Sequence, residues 1–174
     1  MNSIQMERMC LKIGGGFQGI FTNNSLHVKN EGYYIVNTIS DAKIMGHWVM
    51  FYFDANGEVL FIDSFAKHPS MYGGNIFKFY TDLNVKIVVK SQLQSNDSLV
   101  CGLYCLHFLF YLKEKYSMRR ILSHFSDNYR KNDRIVERIL AKIGVDRCVL
   151  SFCPSLMYNR KCMAMCTCVH TCNK

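Results

Sequence analysis

Proline is scarce, two residues in 174, and with 49% of the chain hydrophobic this excludes a collagen-like or low-complexity protein and leaves no room for a long disordered tail. The chain also lacks any apolar run of membrane-crossing length. Its longest, such as Leu106 to Leu112, falls far short of the roughly 20 residues a spanning helix needs. The opening residues "MNSIQMERMCLKIGGG" have no basic stretch followed by an apolar core, so no secretory signal is expected. Nor is there support for phosphoryl or hydride chemistry. "GGGFQG" (14 to 19) matches the dinucleotide spacing G-x-G-x-x-G, but it neither follows a clear strand nor opens an amphipathic helix, and the match is set aside. Cysteine is sparse in the body of the chain, where only Cys10, Cys101 and Cys105 occur, so a disulfide framework for the whole fold is not expected.

What is present suits one domain of ordinary size, able to bury roughly 70% of the surface its unfolded chain would expose. The formal charge is +8. Between Lys113 and Lys142 nine Lys/Arg stand against four Asp/Glu, which reads either as a face that attracts nucleic acid or as a solvated helix surface. The remaining six cysteines, Cys148, Cys153, Cys162, Cys166, Cys168 and Cys172, fall in the last 27 residues. The division expected is a domain over 1–147 and a cysteine-rich tail over 148–174. In that tail Cys162, Cys166, Cys168, His170 and Cys172 are dense enough to hold a thiophilic metal, although the spacing is not that of a standard zinc finger. Disulfides and a reduced, unstructured appendage are the other two readings.

Residues 3 to 12 read as an amphipathic helix stopped by glycines, with a loop after it. "YYIVNT" (33 to 38) is a strand candidate, and "HWVMFYF" (47 to 53), the turn "DANG" (54 to 57) and "EVLFID" (58 to 63) make the clearest hairpin. Asn56 and Gly57 are expected to supply its positive-φ positions. "VKIVV" (85 to 89) is a further strand. From Cys101 the pattern turns helical: 101 to 116, then 118 to 125, then "NDRIVERILAKIG", capped by Asn132 or Asp133, with a stripe of Ile135, Ile139 and Ile143 and a stop at Gly144. Strands first and helices last predict an α+β domain, a central mixed β-sheet packed against helices.

"QSNDSLVCGLYCLHFLFYL" (94 to 112) places Cys101 at the seam between a polar run and an apolar helix. There the unpaired N–H groups and positive end of the helix favour an anion, and a thiolate in that place is a nucleophile near neutral pH. Gly102 permits close approach behind it, while Cys105, Leu109 and Leu112 anchor the helix. His47 starts one hairpin strand and Asp63 ends its partner, so antiparallel pairing brings them to one end of the sheet as a base and the group that orients it. Gln94, seven residues before Cys101, can offer an amide N–H to an oxyanion beside the Cys101 backbone N–H.

"GHW" (46 to 48), "LFIDSF" (60 to 65) and "Q-x6-CGLYC" (94 to 105), in that order and at those distances, resemble the adenovirus-type cysteine endopeptidases, the adenain family. "IGGGFQGIF" and "YIVNT" match further upstream, and the likeness covers roughly residues 5 to 142. The resemblance implies the protease fold shared with the ubiquitin-like-protein proteases, Cys101 as nucleophile, His47 as general base, Asp63 where the adenoviral enzymes carry glutamate, and Gln94 in the oxyanion hole. It further implies a thiol endopeptidase acting in virion maturation, found in the virion and the host nucleus or cytoplasm, cleaving precursor proteins at small, glycine-containing sites. No cofactor is required for the chemistry; DNA, through basic residues of 113–142, and a tethered peptide are the implied activators, and a monomer is expected. Leu83 stands where that family tethers its peptide through cysteine, which leaves only Cys10 or a tail cysteine for the purpose. The rival readings are a protease that removes SUMO- or ubiquitin-like proteins, which fits the aspartate better, and an inactive nucleic-acid-binding particle protein.

Overall fold

The computed structural model describes residues 1–27, 30–39 and 46–144. The chain opens with helix α1 (Ser3–Ile13), started by a capping box in which Gln5 N–H donates to Asn2 Oδ1 and Asn2 N–H donates to Gln5 Oε1. Met6, Met9, Cys10 and Ile13 form its buried stripe. Five strands follow, β1 (Phe17–Thr22), β2 (Gly32–Asn37), β3 (Trp48–Phe53), β4 (Val59–Ile62) and β5 (Lys86–Ile87), adjacent in that order in one sheet. β2, β3 and β4 are antiparallel neighbours, whereas β1 and β5 lie parallel to β2 and β4 at the edges. The fold is α+β with a mixed sheet, as expected.

Alternate residues of the central strands serve two cores. Tyr33, Ile35, Trp48, Met50 and Ile62 face α1 and the long helix α3 (Cys101–Lys113), while Tyr34, Val36, Val49, Phe51, Val59 and Phe61 face Ile76 of helix α2 (Gly74–Asp82). Helix α3 is apolar all round and buried from Cys101 to Leu109, the pattern of a central core helix. Short helices α4 (Met118–Leu122), α5 (Tyr129–Glu137) and α6 (Ile139–Lys142) close this side. Among the described residues no helix is long and apolar enough to cross a membrane.

Several local expectations need correction. β1 lies where a loop was read: as a half-buried edge strand around Gly19 it lacks the alternation that announces a strand. Helix α2 was missed because it buries only Ile76. β5 is two residues rather than 85 to 89. In the hairpin only Gly57 of Asn56 and Gly57 has positive φ (+77°); Asp54 and Glu58 close a three-residue loop, with Asp54 Oδ1 accepting from the N–H groups of Asn56 and Glu58. Asn132 and Asp133 do not cap. Asn128 does, accepting from Lys131 N–H at 3.0 Å, and the other two lie inside α5, where the Asn132 amide donates to the carbonyls of Leu93 and Ser126, and Asp133 accepts from the Tyr104 hydroxyl. A break at Arg138 divides the isoleucine stripe between α5 and α6. The candidate metal ligands Cys162, Cys166, Cys168, His170 and Cys172, and the boundary at 147/148, lie outside the described residues.

Gly32 is the tightest backbone crossing in the sheet. Its φ is +132°, and a Cβ there would fall 2.1 Å from the Gly16 carbonyl oxygen, the atom that accepts from Tyr33 N–H. Gly32→Ala is expected to cost about 3 kcal/mol or more. Gly57→Ala, at φ +77° with open space around it, is expected to cost roughly 1–2 kcal/mol. Urea midpoints of the two variants check the order.

Candidate active site

His47 precedes β3, Asp63 follows β4, and Cys101 opens α3, so all three meet at one end of the sheet. The β3–β4 register pairs Met50 with Ile62; continuing it sets Asp63 opposite Val49 and diagonal to His47, on the same face of the ladder. A diagonal spacing is too long for two small side chains but suits an imidazole reaching a short carboxylate, and His47 Nε2 lies 2.6 Å from Asp63 Oδ1. Aspartate, short as it is, thus reaches the ring. The backbone of His47 is fixed by Thr38, whose N–H donates to the His47 carbonyl and whose hydroxyl accepts from His47 N–H. Gly46 leaves no space there: a Cβ would fall 1.8 Å from Asn37 Oδ1.

The carboxylate of Asp63 is fully engaged. Oδ1 accepts from His47 Nε2 and Phe65 N–H, while Oδ2 accepts from Lys67 N–H and, at 2.5 Å, from the Tyr72 hydroxyl. Burial alone would raise its pKa, but the bonded imidazole, Tyr72 and the Phe65 amide hold it below the ordinary carboxylate value. An ionised carboxylate can only accept, so the Nε2 proton belongs to His47. The ring is further packed by Phe65, with centroids 4.8 Å apart, and by Tyr72 at 6.2 Å.

The other ring nitrogen, Nδ1, is buried and, among the described residues, has no nitrogen or oxygen partner. A buried polar atom left this way needs a reason. Here the neighbour it couples to is the Cys101 thiol. Burial would push the histidine down, but the Asp63 carboxylate and the Cys101 sulfur outweigh it and raise His47 to about 9. Burial would likewise push the thiol up, but the His47 ring and the backbone N–H groups of Trp48 and Gly102 bring Cys101 below its ordinary range. Both directions describe one proton shared by sulfur and nitrogen, favouring thiolate and imidazolium. Cys105, one turn on, is pushed well up by burial and then by the charge of Cys101.

Gln94 is wholly buried. The Ser64 hydroxyl donates to its Oε1 at 2.7 Å, which assigns the amide orientation, and Nε2 donates to the Ser98 carbonyl at 2.9 Å. Among the described residues the second amide hydrogen has no partner, on the loop that leads into Cys101. Gly102 is needed where it stands, since a Cβ would lie 2.5 Å from the Met6 terminal methyl. Cys10 is also fully buried, with its thiol pushed up to about 12 by burial and then by Glu7, so it has no surface to present to a tethered peptide.

Sequence reading missed three supports. Tyr72, beyond the 3₁₀ turn Pro69–Met71, carries no local signal for its bond to Asp63. Ser64 sits inside the quoted "LFIDSF" but declares its role only through contact with Gln94. Asn23 is buried and donates to the Tyr72 carbonyl at 2.8 Å while accepting from Ile76 N–H at 2.9 Å, which ties the tyrosine to the start of α2.

No protein-family model matches this chain, and no curated protein matches it in sequence. The functional reading therefore rests on the residues and their geometry.

Proposed function

We propose that this chain is a cysteine endopeptidase with the protease fold of the adenovirus-type and ubiquitin-like-protein proteases. One observation carries the reading: a half-buried imidazole bonded through Nε2 to a fully engaged carboxylate, its buried Nδ1 otherwise unpartnered among the described residues and beside a thiol at a helix N-terminus. In that arrangement the Cys101 thiolate attacks the substrate carbonyl carbon, forming the C–S bond as the carbonyl electrons move to oxygen. The Cys101 backbone N–H and the spare Gln94 amide hydrogen receive the oxyanion. The imidazolium gives its Nδ1 proton to the departing amine as the C–N bond breaks. The neutral ring then takes a proton from water, whose oxygen displaces sulfur from the thioester.

The likeness to the adenovirus-type enzymes supplies the substrate class, viral precursor proteins cut at small, glycine-containing sites during particle maturation, and DNA as a stimulating partner. The basic surface supports the latter: Asp133 is buried and Glu137 half-buried, so the fully exposed acidic residues among 113–142 are Glu114 and Asp127, against nine exposed basic ones. The aspartate in third position favours a second reading, removal of ubiquitin-like proteins. The full chain is tested on a fluorogenic glycine-containing peptide and on a ubiquitin-like fusion. The expected result is turnover of the peptide with kcat/KM at least roughly tenfold above that for the fusion, a margin of about 1.4 kcal/mol in transition-state binding. The reverse order supports deconjugation, and salt-sensitive DNA binding with turnover of neither substrate overturns the enzyme in favour of a binding module.

A further inference from the structure

A second polar cluster lies on the opposite half of α3 and takes no part in the thiol chemistry. His107 and Tyr111 of α3, His124 just beyond α4, Ile135 of α5, Arg138 at the helix break, and Ile139 and Lys142 of α6 line a cavity of about 290 Å³. His107 Nε2 and His124 Nδ1 are 3.1 Å apart and share one hydrogen. The Tyr111 ring stands 4.7 Å from both imidazoles. The Lys142 ammonium donates to the Tyr111 hydroxyl and lies 4.7 Å above its ring.

The charge is unbalanced. Among the described residues no carboxylate lines the cavity, and neither Arg138 nor Lys142 is in an ion pair. The histidines respond to this: burial, then His124 and Lys142, push His107 down to about 3, and burial, then Lys142 and Arg120, hold His124 below its ordinary value. Two exposed cations, a tyrosine hydroxyl and the one imidazole N–H not spent between the two rings form a donor set that suits a multiply charged oxyanion. Ile135, Ile139 and the Tyr111 ring add apolar surface to the lining, and the volume exceeds the needs of a bare oxyanion.

We propose that this cavity binds a small organic phosphate monoester, its dianionic phosphate held by Arg138 and Lys142 and its organic group set against Tyr111, Ile135 and Ile139. The inference is independent of the proposed peptidase activity. It is tested on the full chain by titration at constant ionic strength, following the ring proton resonances of His107 and His124. Phenyl phosphate, inorganic phosphate, phenol and a short DNA duplex are the probes. The expected result is a saturable shift with phenyl phosphate, tighter than with inorganic phosphate and absent with phenol. The double variant R138A/K142A, both positions exposed, should keep the wild-type melting temperature and weaken binding roughly tenfold or more. The control Lys86→Ala, on β5 and outside the cavity lining, should leave binding unchanged. Shifts that only follow ionic strength, or equal binding by the double variant, overturn the assignment. So does movement of these rings by the duplex alone, which makes the cavity a contact for a nucleic-acid backbone.

Discussion

Cys101→Ala is expected to bring peptide hydrolysis down by a factor on the order of 10⁴ or more, to the level left by substrate binding and the oxyanion donors alone. The change removes one sulfur from a buried residue, 9% exposed, so the fold should persist, with a melting temperature near that of the wild type. His47→Ala should fall by a similar factor for a different reason: the sulfur remains but loses the imidazole that holds it ionised. Thiol alkylation separates the two. Cys101→Ala gives no labelling at that site, whereas His47→Ala labels slowly and only as the pH approaches the free thiol value of about 8.5. Because the two groups act as one unit, the double variant should be no slower than the worse single variant. Undiminished turnover by Cys101→Ala would remove the nucleophile from the proposal and the proposal with it.

What could be read in the sequence divides along a physical line. Cys101 was legible because a helix start is a local event, marked by the change from "QSNDSLV" to an apolar run. The pairing of His47 with Asp63 was legible because a short hairpin fixes which residues meet at its open end, and only the diagonal offset depends on the register of the folded strands. Tyr72 and Asn23 were not legible: their partners are set by the path of the chain through the 3₁₀ turn and α2, which no periodicity encodes. β1 escaped notice because a parallel edge strand draws its pairing from a distant partner and shows no alternation. Asn132 and Asp133 were taken for caps because that is where such residues are most often used. Here their polar groups serve the Leu93–Ser95 stretch and Tyr104, behind the loop that carries Gln94.

Asp63→Asn is expected to lower kcat/KM by about 10²–10⁴, and the hydrogen-bond inventory says why so small a change matters. With the amide oxygen at the Oδ1 position, His47 and Phe65 N–H keep their acceptor, but the new NH₂ meets Lys67 N–H, a donor facing a donor. With the amide flipped, the NH₂ confronts Phe65 N–H and forces the Nε2 proton off His47, so that Nδ1 must carry it and cannot act as the base. Either orientation leaves a backbone N–H unpaired, a cost of about 1–3 kcal/mol. The pH dependence carries the signature. Asp63, held below its ordinary 3.8, contributes stability above that value that is lost as pH falls through its folded pKa. His47, raised from 6.5 to about 9, contributes stability fully present below 6.5 and lost as pH rises toward 9. The difference in urea-unfolding free energy between wild type and Asp63→Asn should therefore be largest between about pH 4 and 6.5 and shrink toward pH 9. In the wild type the alkaline limb of kcat/KM should lie near 9, where the imidazolium is lost. In Asp63→Asn it should move to lower pH, because the carboxylate that raises His47 is gone. An alkaline limb unmoved by the substitution would mean that Asp63 braces the turn at Phe65–Lys67 without tuning the histidine.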